Sequence, residues 1–314
     1  MNSAPPAALG PRGRNPRAVG YHSGMRRTLL VATSLAMLSG CAAPSPFVHK
    51  PIDAQLYHEP HRNAVTFWGH ASVYIDADGV GIVTDPVFES SYSPIHPRKV
   101  PRPPTSAYDQ TSIVLISHAH SDHLDPPTLR RFPRTAVILC PAPAEKYVRG
   151  LGPGVQVMRP GDTYAFPGGT VVAVAAHHPG GRWTGKAEAD GRALGYVIVT
   201  PERTIYYSGD TDYFPGIEDV GRRFHPDLAI LNVNVHLPPE DAIRAVAAIG
   251  ADRVVPIHRG AFGGGHQGRN ARYREEFQHL ADSLSIPLGV GDDLSLGTLR
   301  EPRTALSAPP ASAR

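Results

Sequence analysis

Within six residues, His118-Ala119-His120-Ser121-Asp122-His123, the chain gathers three imidazoles and a carboxylate. The apolar run Ser112-Ile113-Val114-Leu115-Ile116 enters this cluster and reads as a buried strand, so the six residues lie in the loop that leaves it. In extended backbone, residues i and i+2 point the same way. His118 and His120 can therefore share one ion, while the following turn sends Asp122 and His123 towards a second position. Imidazole nitrogen and carboxylate oxygen at this density suit zinc, with manganese or iron also within the range of such donors.

A loop of this kind needs a rigid frame. Runs rich in Val, Ile, Tyr and Thr recur at 64–68, 72–76, 80–84, 112–116, 136–140, 155–158, 170–176, 194–199, 203–208, 228–232 and 253–257. A helical face formed by Ala242, Ile243, Val246 and Ile249, stopped by Gly250, predicts a helix over 239–249. Shorter helical patterns lie near 126–132, 142–149 and 270–284. An early part dense in strands, followed by strands mixed with helices, predicts an α/β fold with two sheets sandwiched between helices. With 31 Gly and 33 Pro in 314 residues, the connections are expected to be long and turn-rich.

The formal charge of +3 is unevenly placed. The first 40 residues hold Arg12, Arg14, Arg17, Arg26 and Arg27 and no acidic residue, so removing these five charges leaves −2. The basic balance belongs to the leader, and no nucleic-acid partner is expected. Met25-Arg26-Arg27 precedes the short apolar stretch Leu29–Leu38, which ends in Leu38-Ser39-Gly40-Cys41. This resembles a bacterial lipoprotein signal, in which the Cys is acylated and becomes the mature N-terminus. The resulting expectation is a leader and lipoprotein signal over 1–41, with Met25 as the true start, and a tether over 42–60. The domain that carries the His118–His123 cluster then spans 61–299, and a disordered tail 300–314. The protein would sit in the cell envelope, facing the periplasm or exterior, attached to a membrane through a lipid on Cys41. Two cysteines exclude a disulfide scaffold, and Cys140, in the run Ala136–Cys140, reads as a small buried hydrophobe.

The spacing His-x-His-x-Asp-His resembles the signature of the metallo-β-lactamase superfamily. Its remaining ligand positions recur in order: His178 in Ala176-His177-His178-Pro179, Asp210 in Ser208-Gly209-Asp210-Thr211, and His258 in Pro256-Ile257-His258-Arg259. Of the adjacent His177 and His178, the spacing to Arg182 favours His178. The resemblance implies a four-layer αβ/βα sandwich holding two divalent ions. It places His118, His120 and His178 on the first, Asp122, His123 and His258 on the second, and Asp210 across both. Phe67-Trp68-Gly69-His70-Ala71-Ser72, followed by Thr84-Asp85-Pro86, is similar to the branch containing N-acyl-phosphatidylethanolamine phospholipase D and L-ascorbate-6-phosphate lactonase. Ser93-Pro94 and the basic, Pro-rich 97–104 lie nearer the phospholipase. One departure is Pro179, where the phospholipase often carries Trp; Trp183 is a candidate substitute.

The chemistry implied is hydrolysis by a metal-bridged hydroxide, with no Ser or Cys nucleophile. Asp122, Asp210 and His236 would be the catalytic side chains, Asp210 orienting the nucleophile and His236, before Leu237-Pro238-Pro239, meeting a substrate oxygen or helping a proton move. The substrate is then a small molecule or a lipid, cleaved as a phosphodiester; a lactone or other carbonyl ester on the same centre is the alternative, and a non-catalytic binding lipoprotein a more distant one. True β-lactamase forms with a Cys ligand at the second metal find no suitable thiol here, and di-iron reductases of the superfamily usually carry Glu where His120 stands. His70 is expected to be structural or to support a ligand. Asp85 is expected to order a loop under the metals, and Phe262–His266 to form a mobile rim.

Overall fold

The computed structural model describes residues 64–178, 182, 193–258, 260–263, 267–284 and 293–295. The leader, Cys41, the tether, Pro179, Trp183 and the 300–314 tail lie outside the described residues. Strands β1 (Ala64–Gly69), β2 (Ser72–Ala77) and β3 (Val80–Thr84) form an antiparallel meander. The short hairpin β4 (Ser91–Ser93) and β5 (His96–Pro97) and the single turn α1 (Ser106–Asp109) lead to β6 (Thr111–Leu115). Then come α2 (Pro126–Leu129), β7 (Val137–Pro141), α3 (Ala142–Val148), β8 (Gly154–Met158), β9 (Thr163–Phe166), β10 (Gly169–Ala175), β11 (Leu194–Val199) and β12 (Thr204–Tyr207). The chain continues through α4 (Pro215–Phe224), β13 (Leu228–Asn232), α5 (Pro239–Ile249), β14 (Arg253–Ile257), α6 (Gln267–Ser283) and β15 (Asp293–Ser295).

One sheet has the order β15-β1-β2-β3-β6-β7-β8 and the other β14-β13-β12-β11-β10-β9. Alternation along each strand decides what each face meets. On β6, Ile113 and Leu115 enter the core between the sheets, while Val114 faces the helical side with Ala107, Leu129, Ala144 and Val148. On β13, Leu228 and Ile230 enter the same central core, while Ala229 and Leu231 meet Ile217, Val220, Ala242, Val246 and Phe277. Helices thus cover both outer faces, and the expected αβ/βα layering is present.

The pairing also sets direction. In the first sheet β1, β3 and β6 run parallel to one another, because β2 reverses the chain twice. In the second, β10, β12, β13 and β14 share one direction, with β11 reversed between the first two. Polar residues leaving the C-terminal ends of these strands are therefore collected at one edge of each sheet, where open α/β architectures place their ligands.

Candidate metal centre

Each predicted donor follows such a strand end: His118 to His123 after β6, His178 after β10, Asp210 after β12 and His258 after β14. His118 Nε2 and His178 Nε2 face His120 Nδ1 at 2.9 and 3.2 Å, which makes one three-imidazole group. Asp122, His123 and His258 form a second group, in which Asp122 Oδ2 lies 4.0 Å from His123 Nε2 and 3.7 Å from His258 Nε2. Asp210 Oδ2 is 3.7 Å from His123 Nε2 and 3.3 Å from His258 Nε2, and Asp210 also groups with His178 and His236. It thus joins the two sets. His178 is the member of the His177–His178 pair that points inward. The His177 side chain is 71% exposed, with Nδ1 3.2 Å from Asp212 Oδ2.

Supporting residues orient these donors. Asp85, at the end of β3, is fully buried, and its carboxylate accepts four hydrogen bonds. They come from Ser117 N (2.7 Å), Ser117 Oγ (2.5 Å), His123 Nδ1 (2.6 Å) and Tyr207 Oη (2.6 Å). Because Ser117 Oγ donates to Asp85, it accepts from His118 Nδ1 at 2.8 Å. One carboxylate therefore favours the Nδ1 protons of His118 and His123, two predicted donors, and leaves both Nε2 atoms facing the cluster. This is the usual way an outer carboxylate fixes the tautomer of a metal-binding histidine. Asn234 Nδ2 donates to Asp210 Oδ2 at 3.1 Å, and Asn232 Nδ2 donates to Asn234 Oδ1 at 3.2 Å. Arg182 reaches the metal loop from outside, donating to Leu124 O at 2.8 Å.

The electrostatics call for a cation. Burial would raise the Asp210 carboxyl, yet the imidazoles of His258 and His123 hold it well below the usual carboxylate range. Asp122 is held low against burial in the same way, by His123 and His70. Burial alone would lower His123, but Asp210, Asp122 and Asp85 around it push it up to about 10. Positive charge is thus favoured where three carboxylates converge. His178 is lowered by burial to about 3, and His118 well below its ordinary value, so these imidazoles are neutral and free to donate lone pairs. His123 Nε2 and Asp210 Oδ1 are buried with no hydrogen-bond partner. Burying such atoms unpaired is costly, and a divalent ion on this oxygen-and-imidazole set would satisfy both.

His236 is one-third exposed, with its ring edge-on to His178 at 4.3 Å between centroids and Nδ1 3.4 Å from Asp212 Oδ1. The geometry admits the substrate-facing role expected of it. Segment 85–104 reaches the site through Tyr92, whose ring stacks on that of His70 at 6.4 Å between centroids. Its Arg98 donates to Val87 O at 2.7 Å and Trp68 O at 2.9 Å, so this guanidinium fixes the segment itself. Phe262, at the start of the expected glycine-rich rim, is 3% exposed and packs edge-on against Tyr92, so that end of the stretch is wall rather than rim; Gly264 to His266 lie outside the described residues. Reasoning from residue types missed Asn232 and Asn234. The signal was there in Asn232-Val233-Asn234, two amides spaced by two as they leave a fully apolar strand.

Comparison with known proteins gives the family. Residues 81–259 match the model of the beta-lactamase superfamily domain. The chain is 33% identical over 201 residues to a UPF0173 metal-dependent hydrolase of Exiguobacterium sp., spanning 63% of this chain and 86% of that protein. Among solved structures it is similar to Igni18, a metallo hydrolase from Ignicoccus hospitalis. That match has a TM-score of 0.58 and 22% identity, and covers 74% of this chain and 97% of that one. It is also similar to a possible metal-dependent hydrolase from Veillonella parvula, with a TM-score of 0.62 and 18% identity, covering 75% of this chain and 100% of that one.

Proposed function

Since the chain belongs to the metallo-β-lactamase superfamily and is a metal-dependent hydrolase, we propose that it holds two divalent ions, zinc foremost, and cleaves phosphodiesters. The substrate class proposed is a lipid of the N-acyl-phosphatidylethanolamine type or a related diester, cut in the manner of a phospholipase D. The observation that carries the hydrolytic reading is the place of Asp210, whose carboxylate stands between the His118–His120–His178 group and the Asp122–His123–His258 group. His118, His120 and His178 would hold one ion, Asp122, His123 and His258 the other, and Asp210 would be shared. A bound pair of this kind supplies a water of lowered pKa and a Lewis acid for the phosphoryl oxygen.

The protein's own groups do the rest. Asn234 fixes one Asp210 oxygen, so the shared carboxylate cannot rotate away. Asp212, 3.4 Å from His236 Nδ1, orients this ring, which would meet a substrate oxygen or help a proton move. The phospholipase-like residues Phe67–Ser72 and 85–104 support the phosphodiester choice, because they supply His70, Asp85 and the wall of the site rather than a remote surface. The lipobox-like Leu38–Cys41 favours a membrane-attached enzyme working on lipid. The test is the zinc-loaded protein assayed against N-acyl-phosphatidylethanolamine and against a panel of lactones. Phosphodiester cleavage is expected, and lactone turnover without it would overturn the proposal. Fewer than one ion per chain after reconstitution, with no hydrolysis, would point to a binding protein instead.

A further inference from the structure

His70 belongs to neither expected ligand group, yet it is 1% exposed and sits against one of them. Its Nε2 is 3.0 Å from Asp122 Oδ2. Its ring packs against His258 at 4.1 Å between centroids, tilted by 51°, and its carbonyl accepts the His258 N–H at 2.7 Å. Both residues hold left-handed backbone, with φ of 58° and 65°, a conformation that costs a non-glycine residue about 1–2 kcal/mol. Such strain persists where the surroundings over-determine it.

Distance alone would admit His70 as a metal donor, since its ligand atom lies within 4.8 Å of those of Asp122, His123 and His258. The proton argues otherwise. His70 Nδ1 is buried with no partner. A proton there would leave a buried donor unsatisfied, whereas a proton on Nε2 meets a carboxylate. His118 and His123 show the reverse arrangement, with Nδ1 held and Nε2 open.

We propose that His70 is a positioning residue for the second ion: its Nε2–H holds the Asp122 carboxylate, while its ring and carbonyl hold His258. This rests on the two-ion reading above. Affinity for the second ion should then depend on His70, and affinity for the first should not. Gln can present an N–H where Nε2 stands, Asn only nearer the backbone, and Phe none.

The experiment strips wild type, H70Q, H70N and H70F with chelator and titrates each with Co²⁺. The visible spectrum is followed, bound metal is measured by elemental analysis, and circular dichroism checks the fold. Wild type is expected to take two ions. H70F should bind the first as wild type does and the second about 10- to 100-fold more weakly, the usual loss when a ligand's outer partner is removed. H70Q should recover most of that affinity, and H70N should not. The proposal is overturned if H70F binds the second ion as tightly as wild type, if both ions weaken equally, or if H70Q is no better than H70N. The Gln–Asn comparison decides it even where H70F fails to fold. A wild type that takes only one ion overturns the two-ion reading itself, before any variant is measured.

Discussion

Asp85 concentrates more of the site on one side chain than any ligand does. It is buried, and every one of its four hydrogen bonds comes from a group that is itself buried. Replacing it by Ala strands donors of His123, Ser117 and Tyr207, each costing about 1–3 kcal/mol when left unpaired. D85A is therefore expected to lower the melting temperature and, in protein that still folds, to weaken metal uptake about 10- to 100-fold. Equilibrium dialysis against a zinc buffer measures the second effect, and unchanged uptake would show that Asp85 serves the fold alone. Removing a ligand should be harsher: D210A or H120A is expected to lower kcat/KM by more than about 100-fold while far-UV circular dichroism stays that of wild type. Retained activity in both variants would refute the ligand assignment. At this scale the sequence is legible where chemistry is local. His118 to His123 announce themselves by spacing, and the other predicted donors follow in the order the resemblance implies. What His70, Asp85 and Asn234 touch is not legible, because each meets a partner 24 to 52 residues away that no short pattern encodes.

Elements explain why the donors arrive together. The strands read from β-type runs agree with the structure within a residue or so, from β1 at Ala64–Gly69 to β14 at Arg253–Ile257, and α5 spans Pro239–Ile249 as its apolar face predicts. The misses have physical causes. Helix α4 carries Gly216 and Gly221 inside it, and a Cβ at Gly221 would stand 2.1 Å from Ala248 O. Close packing on α5 put glycine where a helical pattern would show a larger residue. Strand β9 alternates exposed and half-buried positions at a sheet edge, so it lacks a strong apolar signature. Gly209, between β12 and the ligand Asp210, has φ of 58°, and a Cβ there would lie 2.5 Å from Ser117 Cβ. G209A is expected to destabilise by about 1–3 kcal/mol, read in thermal melts of chelated protein so that metal loss does not contribute. A melting curve that overlays wild type would contradict that packing. In β7, burial pushes the Cys140 thiol up to about 12. At pH 8 the folded protein should leave Cys140 unalkylated by iodoacetamide, and denatured protein should not, as peptide mass spectrometry would read. Alkylation in the folded state would mean that β7 opens to solvent.

Across the whole molecule, the centre joins two sheets that also meet through apolar packing and buried bonds such as Tyr196 Oη to Ile116 O at 2.8 Å. Asp122 and His123 hang from the first sheet through β6, Asp210 and His258 from the second through β12 and β14. Across the gap, Asp210 comes within 3.7 Å of His123 and Asp122 within 3.7 Å of His258. The carboxylates of Asp210, Asp122 and Asp85 around His123 push that imidazole up to about 10, so positive charge is favoured there. An ion that binds the folded chain and not the unfolded one stabilises it by mass action, about 2.7 kcal/mol at a free concentration 100 times the dissociation constant. For a domain of this size that corresponds to a rise of about 5–10 °C in melting temperature. Zinc added to chelated wild type should therefore raise the transition progressively with concentration. H120A loses a donor of the three-imidazole group and D210A the carboxylate shared by both groups, so D210A should show the smaller rise of the two. Calorimetric scans at stepped zinc concentrations measure this. Equal rises in wild type and D210A would mean that the stabilising ion sits elsewhere and that Asp210 does not tie the two sheets together.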